Sequence, residues 1–279
     1  MTIYWTPFPN TPFFLRKFVQ NTLMNQPRPY VLAETNWKEV KDTNYSVAIL
    51  PWGATEAHNY HMPYGTDYYE GTFIGAESAR KAWEQGEKVI MLPCIPFGIN
   101  TGQLDVKLCI NMNPSTQYAI LRDVVDVLKR HNIHKFVILN SHGGNNFKTM
   151  IRELSFEFPE VFTCSINWWQ IGNAHDYFEE PGDHAGEMET SVMMYIQPEL
   201  MLPLSEAGDG AAKRYKFKGF KEGWITSQRH WTMVTKDTGV GNPKAATAEK
   251  GQQFFEMITT EISDFLVELS NTVLDDLYE

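Results

Sequence analysis

The sequence predicts an α/β protein whose mainly parallel central sheet is covered by helices on both faces. Three observations carry that reading. Four short apolar runs are rich in β-branched or aromatic residues and bounded by Pro, Gly or Asn, as strands buried on both faces are. Segments with the 3.6-residue period of helices separate them. Clusters of acidic and imidazole side chains follow the runs, and open α/β sheets bind their ligands just beyond the carboxyl ends of their strands.

Taken in order, the first strand is expected over 46–51 (SVAILP), followed by a helix over 69–85 with Ala and Arg/Lys at helical spacing. The second strand is 88–93 (KVIMLP). Ser115 is a good N-cap for the next helix, which carries Ile120, Leu121, Val124, Val125 and Leu128 on one face. Lys135–Asn140 (KFVILN) is the third strand, and the helix after it, 145–158, has Phe147, Ile151, Leu154 and Phe158 in one stripe. The fourth strand is 163–168 (TCSINW). This alternation implies right-handed βαβ crossovers. A last helix is expected to open at Asn242-Pro243, an N-cap with proline at the first helical position, and to run through Phe254, Ile258, Ile262, Phe265 and Leu269. Residues 207–241 hold many Gly, Lys and aromatic residues without periodicity and read as a long surface excursion, a form that functional loops often take. No repeat or flexible linker interrupts 1–279, so one domain is expected.

Composition narrows the function. The 279 residues are long enough to bury a sizeable core without disulfides or structural metals. A formal charge of −10 argues against a nucleic-acid backbone or an anionic membrane as partner, since both demand clustered positive charge. Cys94, Cys109 and Cys164 lie far apart and form no C-x-x-C pair, so they read as reduced thiols of a cytoplasmic protein. No apolar run approaches the roughly 18 residues that span a bilayer. Residues 1–20 lack the basic segment, apolar core and cleavage site of a secretory leader, so secretion is not expected. The 37 aromatic residues suit a homo-oligomer with aromatic interfaces.

The chemistry sits in three clusters. Glu56, His58, His61 and Asp67 follow the first strand, His142-Gly143-Gly144 the third, and Asp183-His184-Ala185-Gly186-Glu187-Met188-Glu189 the fourth. Divalent transition metals favour neutral imidazole and ionised carboxylate ligands. Two ions about 3.5–4 Å apart need a shared group to offset their repulsion. Glu56, His58, Asp67 and His142 supply two acids and two imidazoles for such a pair, and Glu189 is preferred to Glu187 as a fifth ligand. Gly143-Gly144 reads either as a tight turn needing positive φ or as backbone that approaches metal or substrate closely. Trp168, at the end of a strand, is read as core packing or as part of a substrate pocket.

These segments resemble the creatininase family. Its pattern E-x-H-G-x-H-L-P-x-x-x-D is matched from Glu56 to Asp67, with Asn59 and Met62 in place of Gly and Leu. N-x-H-G-G-N runs from Asn140 to Asn145, D-x-H-A-G-x-x-E-T-S appears nearly intact from Gly182 to Ser191, and a late G-x-P-x-x-A-T-x-E-K-G from Gly241 to Gly251. The resemblance implies a three-layer α/β/α sandwich, a binuclear centre of zinc, manganese or both, hydrolysis of unusual amide C–N bonds, and hexamers. It implies that Glu56, His58, Asp67 and His142 are metal ligands, with Asp67 bridging, and that His184 transfers protons. In creatininase itself a metal-binding Glu and a Tyr occupy the positions of Gly144 and Gly143, which makes Glu189 the substitute ligand here. Branches that carry H-G-G-N act on formamides or on peptides.

The expected reaction is hydrolysis of a cyclic amide or formamide of a small molecule by metal-activated water. His184 protonates the leaving nitrogen, Asp183 orients His184, and His61 either braces a ligand carboxylate or packs in the loop under Pro63. Gly143, Gly144 and Trp168 are the expected substrate-lining residues. The alternatives are creatininase proper, a related peptidase, a binuclear phosphoesterase and a non-catalytic metal-binding homologue. The phosphoesterase is disfavoured because Arg80, Arg122 and Arg152 sit mid-helix and no phosphate loop is present.

Overall fold

The computed structural model describes residues 27–278. The leaderless reading of 1–20 falls outside them. Four strands, β1 (Val47–Trp52), β2 (Val89–Met91), β3 (Lys135–Asn140) and β4 (Phe162–Asn167), form one sheet in the order β2-β1-β3-β4. Every pairing is parallel, with Ala48 opposite Phe136 and Trp52 opposite Asn140 in the central pair. Because the chain leaves β1 towards β2 on one side and returns to β3 on the other, the order reverses between β1 and β3. That crevice is where open α/β sheets receive ligands.

The helices are α1 (Trp37–Val40), α2 (Thr66–Glu84), α3 (Pro114–Arg130), α4 (Lys148–Glu157), α5 (Glu187–Ile196), α6 (Lys218–Lys221), α7 (Trp231–Val234) and α8 (Ala248–Asn271). Side chains alternate along the strands, so each face of the sheet has its own core. Ala48, Leu50, Phe136 and Ile138 pack with Leu121, Val125 and Leu128 of α3 and Leu154 of α4. Val47, Ile49, Val137 and Leu139 pack with Ile74 and Ala79 of α2 and Phe254, Ile258 and Ile262 of α8. This is the three-layer sandwich the sequence predicts. None of the described helices is long and apolar enough to cross a membrane.

Several boundaries differ from the sequence reading. The first long helix starts at Thr66 rather than 69, which lifts Asp67 into its first turn, where the helix dipole favours a carboxylate. Asn113, not Ser115, caps α3. The last helix starts at Ala248, capped by Thr247, whose hydroxyl accepts from Lys250 N at 3.2 Å. The Asn242-Pro243 signature is spent on a turn instead: Asn242 Oδ1 accepts from Lys244 N at 3.1 Å and Ala246 N donates to Pro243 O at 3.0 Å.

Two glycines let elements approach closely enough to build the site. A Cβ at Gly53 would lie 2.6 Å from the Asp67 carbonyl carbon, so the end of β1 abuts the start of α2. A Cβ at Gly251 would lie 1.9 Å from Ser191 O, where α8 crosses α5. Gly251→Ala forces these helices apart and is expected to destabilise the fold by about 1–3 kcal/mol, the usual cost of overpacking. A lower denaturant midpoint at unchanged slope is the expected reading.

Candidate metal centre

Beyond Trp52 the chain turns across the crevice and presents Glu56 and His58, while the first turn of α2 presents Asp67. Asn59 holds φ +53°, the left-handed region that Asn tolerates better than most residues and Gly adopts freely. Its side chain then fastens the loop, accepting from Gly208 N at 2.8 Å and Tyr60 N at 2.7 Å. Beyond β3, Ser141 N donates to Trp52 O at 2.9 Å, keeping the two strand ends in register, and His142 follows.

The side chains converge. His58 Nε2 lies 2.9 Å from Asp67 Oδ1, and His142 Nδ1 lies 3.0 Å from Asp67 Oδ2 and 2.9 Å from Glu56 Oε1. Three overlapping sets of potential ligands result, Glu56 with Asp67 and His142, His58 with Asp67 and Glu189, and Glu56 with His58 and His184; each keeps its donor atoms within 4.8 Å of one another. Asp67 belongs to the first two. Glu56, His58, Asp67 and His142 are all buried. His58 Nε2 and Asp67 Oδ2 nevertheless have no aligned hydrogen-bond partner. Lone pairs left unspent in a buried cluster of imidazoles and carboxylates fit a pair of divalent cations.

Without cations, protons carry the compensating charge. Burial pulls the His58 imidazole down, but Asp67 and then Glu56 outweigh it and hold it at about 9. His142 stands well above its ordinary value for the same reason, Glu56 outweighing burial. Burial pushes Asp67 up, yet His58 and His142 bring it below the usual carboxylate range. Burial raises Glu189 to about 7, with His58 opposing.

Glu187 turns away from this cluster, its carboxylate accepting from Glu180 N at 2.8 Å and Lys250 Nζ at 2.6 Å. Glu189 accepts from Ala185 N. Ala185 is held at φ +50°, a conformation costing an alanine about 1–2 kcal/mol, and this aims its N–H at the carboxylate.

His184 contributes its ring from the other side. Nε2 lies 2.8 Å from Ala57 O, and a carbonyl can only accept, so Nε2 carries the proton and donates. Nδ1 is left facing Glu56 Oε1 at 3.8 Å. Its ring centroid lies 4.2 Å from that of His58, and burial together with the His58 charge lowers it to about 4.

Four sequence expectations are corrected by the geometry. Asp183 does not orient His184; it is exposed and paired with Arg229 at 2.6 Å, because adjacent side chains diverge. His61 does not brace a ligand carboxylate; its Nε2 meets Thr190 Oγ1 at 3.1 Å. Of the two readings of Trp168, core packing holds: it is 1% exposed and packs on Phe254. Gly143 and Gly144 have no positive φ. Around Gly143 the space is open, whereas a Cβ at Gly144 would lie 2.4 Å from both His142 Nε2 and Ile99 O, so the ring itself occupies that position.

Sequence reasoning passed over three groups. Ile99 O lies 3.0 Å from His142 Nε2 and leaves Nδ1 to face the carboxylates. Gln103 is buried and donates from Nε2 to Glu56 Oε2. Trp231 packs edge-on against His184, ring centroids 4.8 Å apart. None lies within a motif, and a Gln or Trp in an aperiodic loop carries no spacing signal. Glu70, one turn after Asp67, is wholly buried with both carboxylate oxygens unpartnered; burial, with Glu189 and Asp67 nearby, raises it well above the ordinary range.

The creatininase (creatinine amidohydrolase) family model matches residues 33–266. A crystal structure of a candidate creatinine amidohydrolase from Bacteroides fragilis NCTC 9343 is 43% identical, with a TM-score of 0.84 over 92% of this chain and 100% of that one. The mycofactocin precursor peptide peptidase of Mycobacterium ulcerans (strain Agy99) is 25% identical over 224 residues, 77% of this chain and 82% of that protein. Creatininases solved as a zinc–zinc variant and with manganese are both 20% identical over 88% of this chain and 100% of theirs, with TM-scores of 0.72 and 0.70, and share the fold.

Because Gln103 holds Glu56 from behind, Gln103→Ala is expected to weaken divalent-cation affinity by about 10–100-fold, the usual effect of removing a partner that orients a ligand. Titration of chelator-treated protein with Zn²⁺ or Mn²⁺, read by calorimetry, measures it.

Proposed function

The chain belongs to the creatininase family of hydrolases, and from that premise we propose that it cleaves an amide C–N bond of a small molecule. Two divalent cations, zinc or manganese, would be held by Glu56, His58, Asp67, His142 and Glu189. The observation that carries the reading is the pair of ligand sets meeting at Asp67. Asp67 turns Oδ1 to the His58 side and Oδ2 to the His142 side, the disposition of a shared ligand. Glu56 and His142 would complete one site, and His58 and Glu189 the other.

When bound, such a pair of ions supplies ionisation of water at neutral pH and polarisation of a carbonyl oxygen. The side chains do the rest. Ala57 O fixes the His184 tautomer, so Nδ1 is the atom that accepts a proton from the attacking water and returns it to the leaving nitrogen. Trp231 covers the ring and keeps bulk water from it. The open space around Gly143 gives the substrate its approach.

Two observations favour variants of this reading. Glu56, His58 and His184 also hold donor atoms within 4.8 Å of one another, so His184 could itself ligate. The peptidase relative favours a peptide amide in place of a small-molecule amide. The three unpaired thiols accord with a cytoplasmic location, and exposed Trp37, Phe156 and Trp224 with assembly into a homo-oligomer, a hexamer by family likeness.

Asp67→Ala is expected to lose both cations, measured by elemental analysis after dialysis. His184→Ala should keep both and lower turnover by roughly 10²–10⁴, the usual contribution of one proton-transfer group; equal metal loss in the two variants would make His184 a ligand. A panel of lactams, formamides, short peptides and an aryl phosphate, assayed with and without chelator, separates the substrate classes. Metal-loaded protein inert to every amide would overturn the hydrolase.

A further inference from the structure

The segment 207–241 contributes Trp231 to the metal centre, but its basic residues play no part in the chemistry above. Nine consecutive residues, 213–221 (KRYKFKGFK), hold five of the chain's 24 Lys and Arg and no acid, in a protein of net charge −10. Lys213, Arg214, Lys216 and Lys221 line an open cleft of about 1220 Å³, together with Arg229. Lys218 is drawn off to Glu222 at 3.5 Å. The acids on the wall are Glu180 and Asp183, and Asp183 is occupied by Arg229 at 2.6 Å. Four cations thus face the cleft without an ion pair among the described residues.

This wall is built. Tyr215 and Phe220 stack with centroids 4.0 Å apart and planes 21° from parallel, Tyr215 OH donates to Gln228 O at 2.9 Å, and Lys213 N donates to Val234 O at 2.8 Å. Like charges gathered on an ordered wall repel one another, and an anion between them removes that repulsion.

The cleft also shares a wall with the metal centre. Asp183 and His230 line it, while their chain neighbours His184 and Trp231 pack against each other beside the ligands. Val240, another lining residue, pairs with the His184 backbone in both directions, at 3.1 and 2.8 Å.

We propose that this cleft is an anion-binding subsite that takes a phosphate or carboxylate group of the substrate while the amide lies at the metal centre. The anion is a handle and not the reacting group. The existence of the subsite stands on the cleft alone, whereas its assignment to the substrate rests on the amide-hydrolase reading. The test titrates the full chain, metal-loaded and chelator-treated, with phenyl phosphate and with benzoate by calorimetry, and repeats both on Lys213→Ala/Lys216→Ala/Lys221→Ala. One probe should bind in both metal states, and the triple variant should weaken it about tenfold. Tighter phenyl phosphate would identify a phosphomonoester, and tighter benzoate a carboxylate. Binding that disappears on chelation, or that the triple variant leaves unchanged, overturns the subsite. In turnover, the kcat/KM ratio between amides with and without an appended anion should fall about tenfold in the variant; no fall overturns the assignment to substrate. Anion binding that persists in a protein with no amide turnover at all would sink the hydrolase and leave the subsite standing.

Discussion

Buried carboxylates that face a common point are the constraint around which this fold is organised. Glu56 and Asp67 are each 1% exposed and approach the same His142 nitrogen within 3.0 Å. Two like charges about 4 Å apart cost each other about 4 kcal/mol at an effective dielectric constant of 20. Burial removes the water that would screen them. The pair persists only with positive charge between, as protons on His58 and His142 or as cations that displace those protons. The raised His58 and His142 and the lowered Glu56 and Asp67 follow from that one requirement.

Meeting it takes both strand order and close packing. Parallel β1 and β3 must be neighbours for the Glu56–Asp67 loop to meet His142, and Gly53 must lack a side chain for α2 to start where Asp67 reaches the crevice. Above the ligands, the excursion between 207 and 241 is pinned by buried Asp237, which accepts from Gly210 N at 2.9 Å and Gly239 N at 3.0 Å. Thr238 Oγ1 accepts from Asn59 N at 3.0 Å, so the cover is anchored to the ligand loop itself. One wall of this cover encloses His184 and the other carries the unpaired cations of the cleft. A segment that looks irregular in sequence is ordered here by polar contacts with distant residues, which leave no periodic trace.

Much of the fold was legible because burial on both faces of a parallel strand demands continuous apolar runs. SVAILP, KVIMLP and KFVILN each predicted a strand to within a few residues. The helix starts were less legible, since they depend on which cap wins. Asn242-Pro243 has every local mark of a helix start, yet Thr247 caps the helix and the earlier pair closes a turn. Glycines mislead in the same way: Gly143-Gly144 looks like a positive-φ turn, but the need at Gly144 is for space beside the His142 ring.

Which residue types meet was written in the sequence, because E-x-H and H-x-x-x-x-E spacings are covalent facts that a loop and a helix turn carry intact. Orientation within the site was decided by tertiary structure alone. His184 owes its tautomer to Ala57 O, 127 residues away, His142 the turn of its Nδ1 towards the carboxylates to Ile99 O, and Glu56 its brace to Gln103. A hydrogen bond forms between whatever atoms the fold brings within about 3 Å, and backbone carbonyls look alike in every sequence.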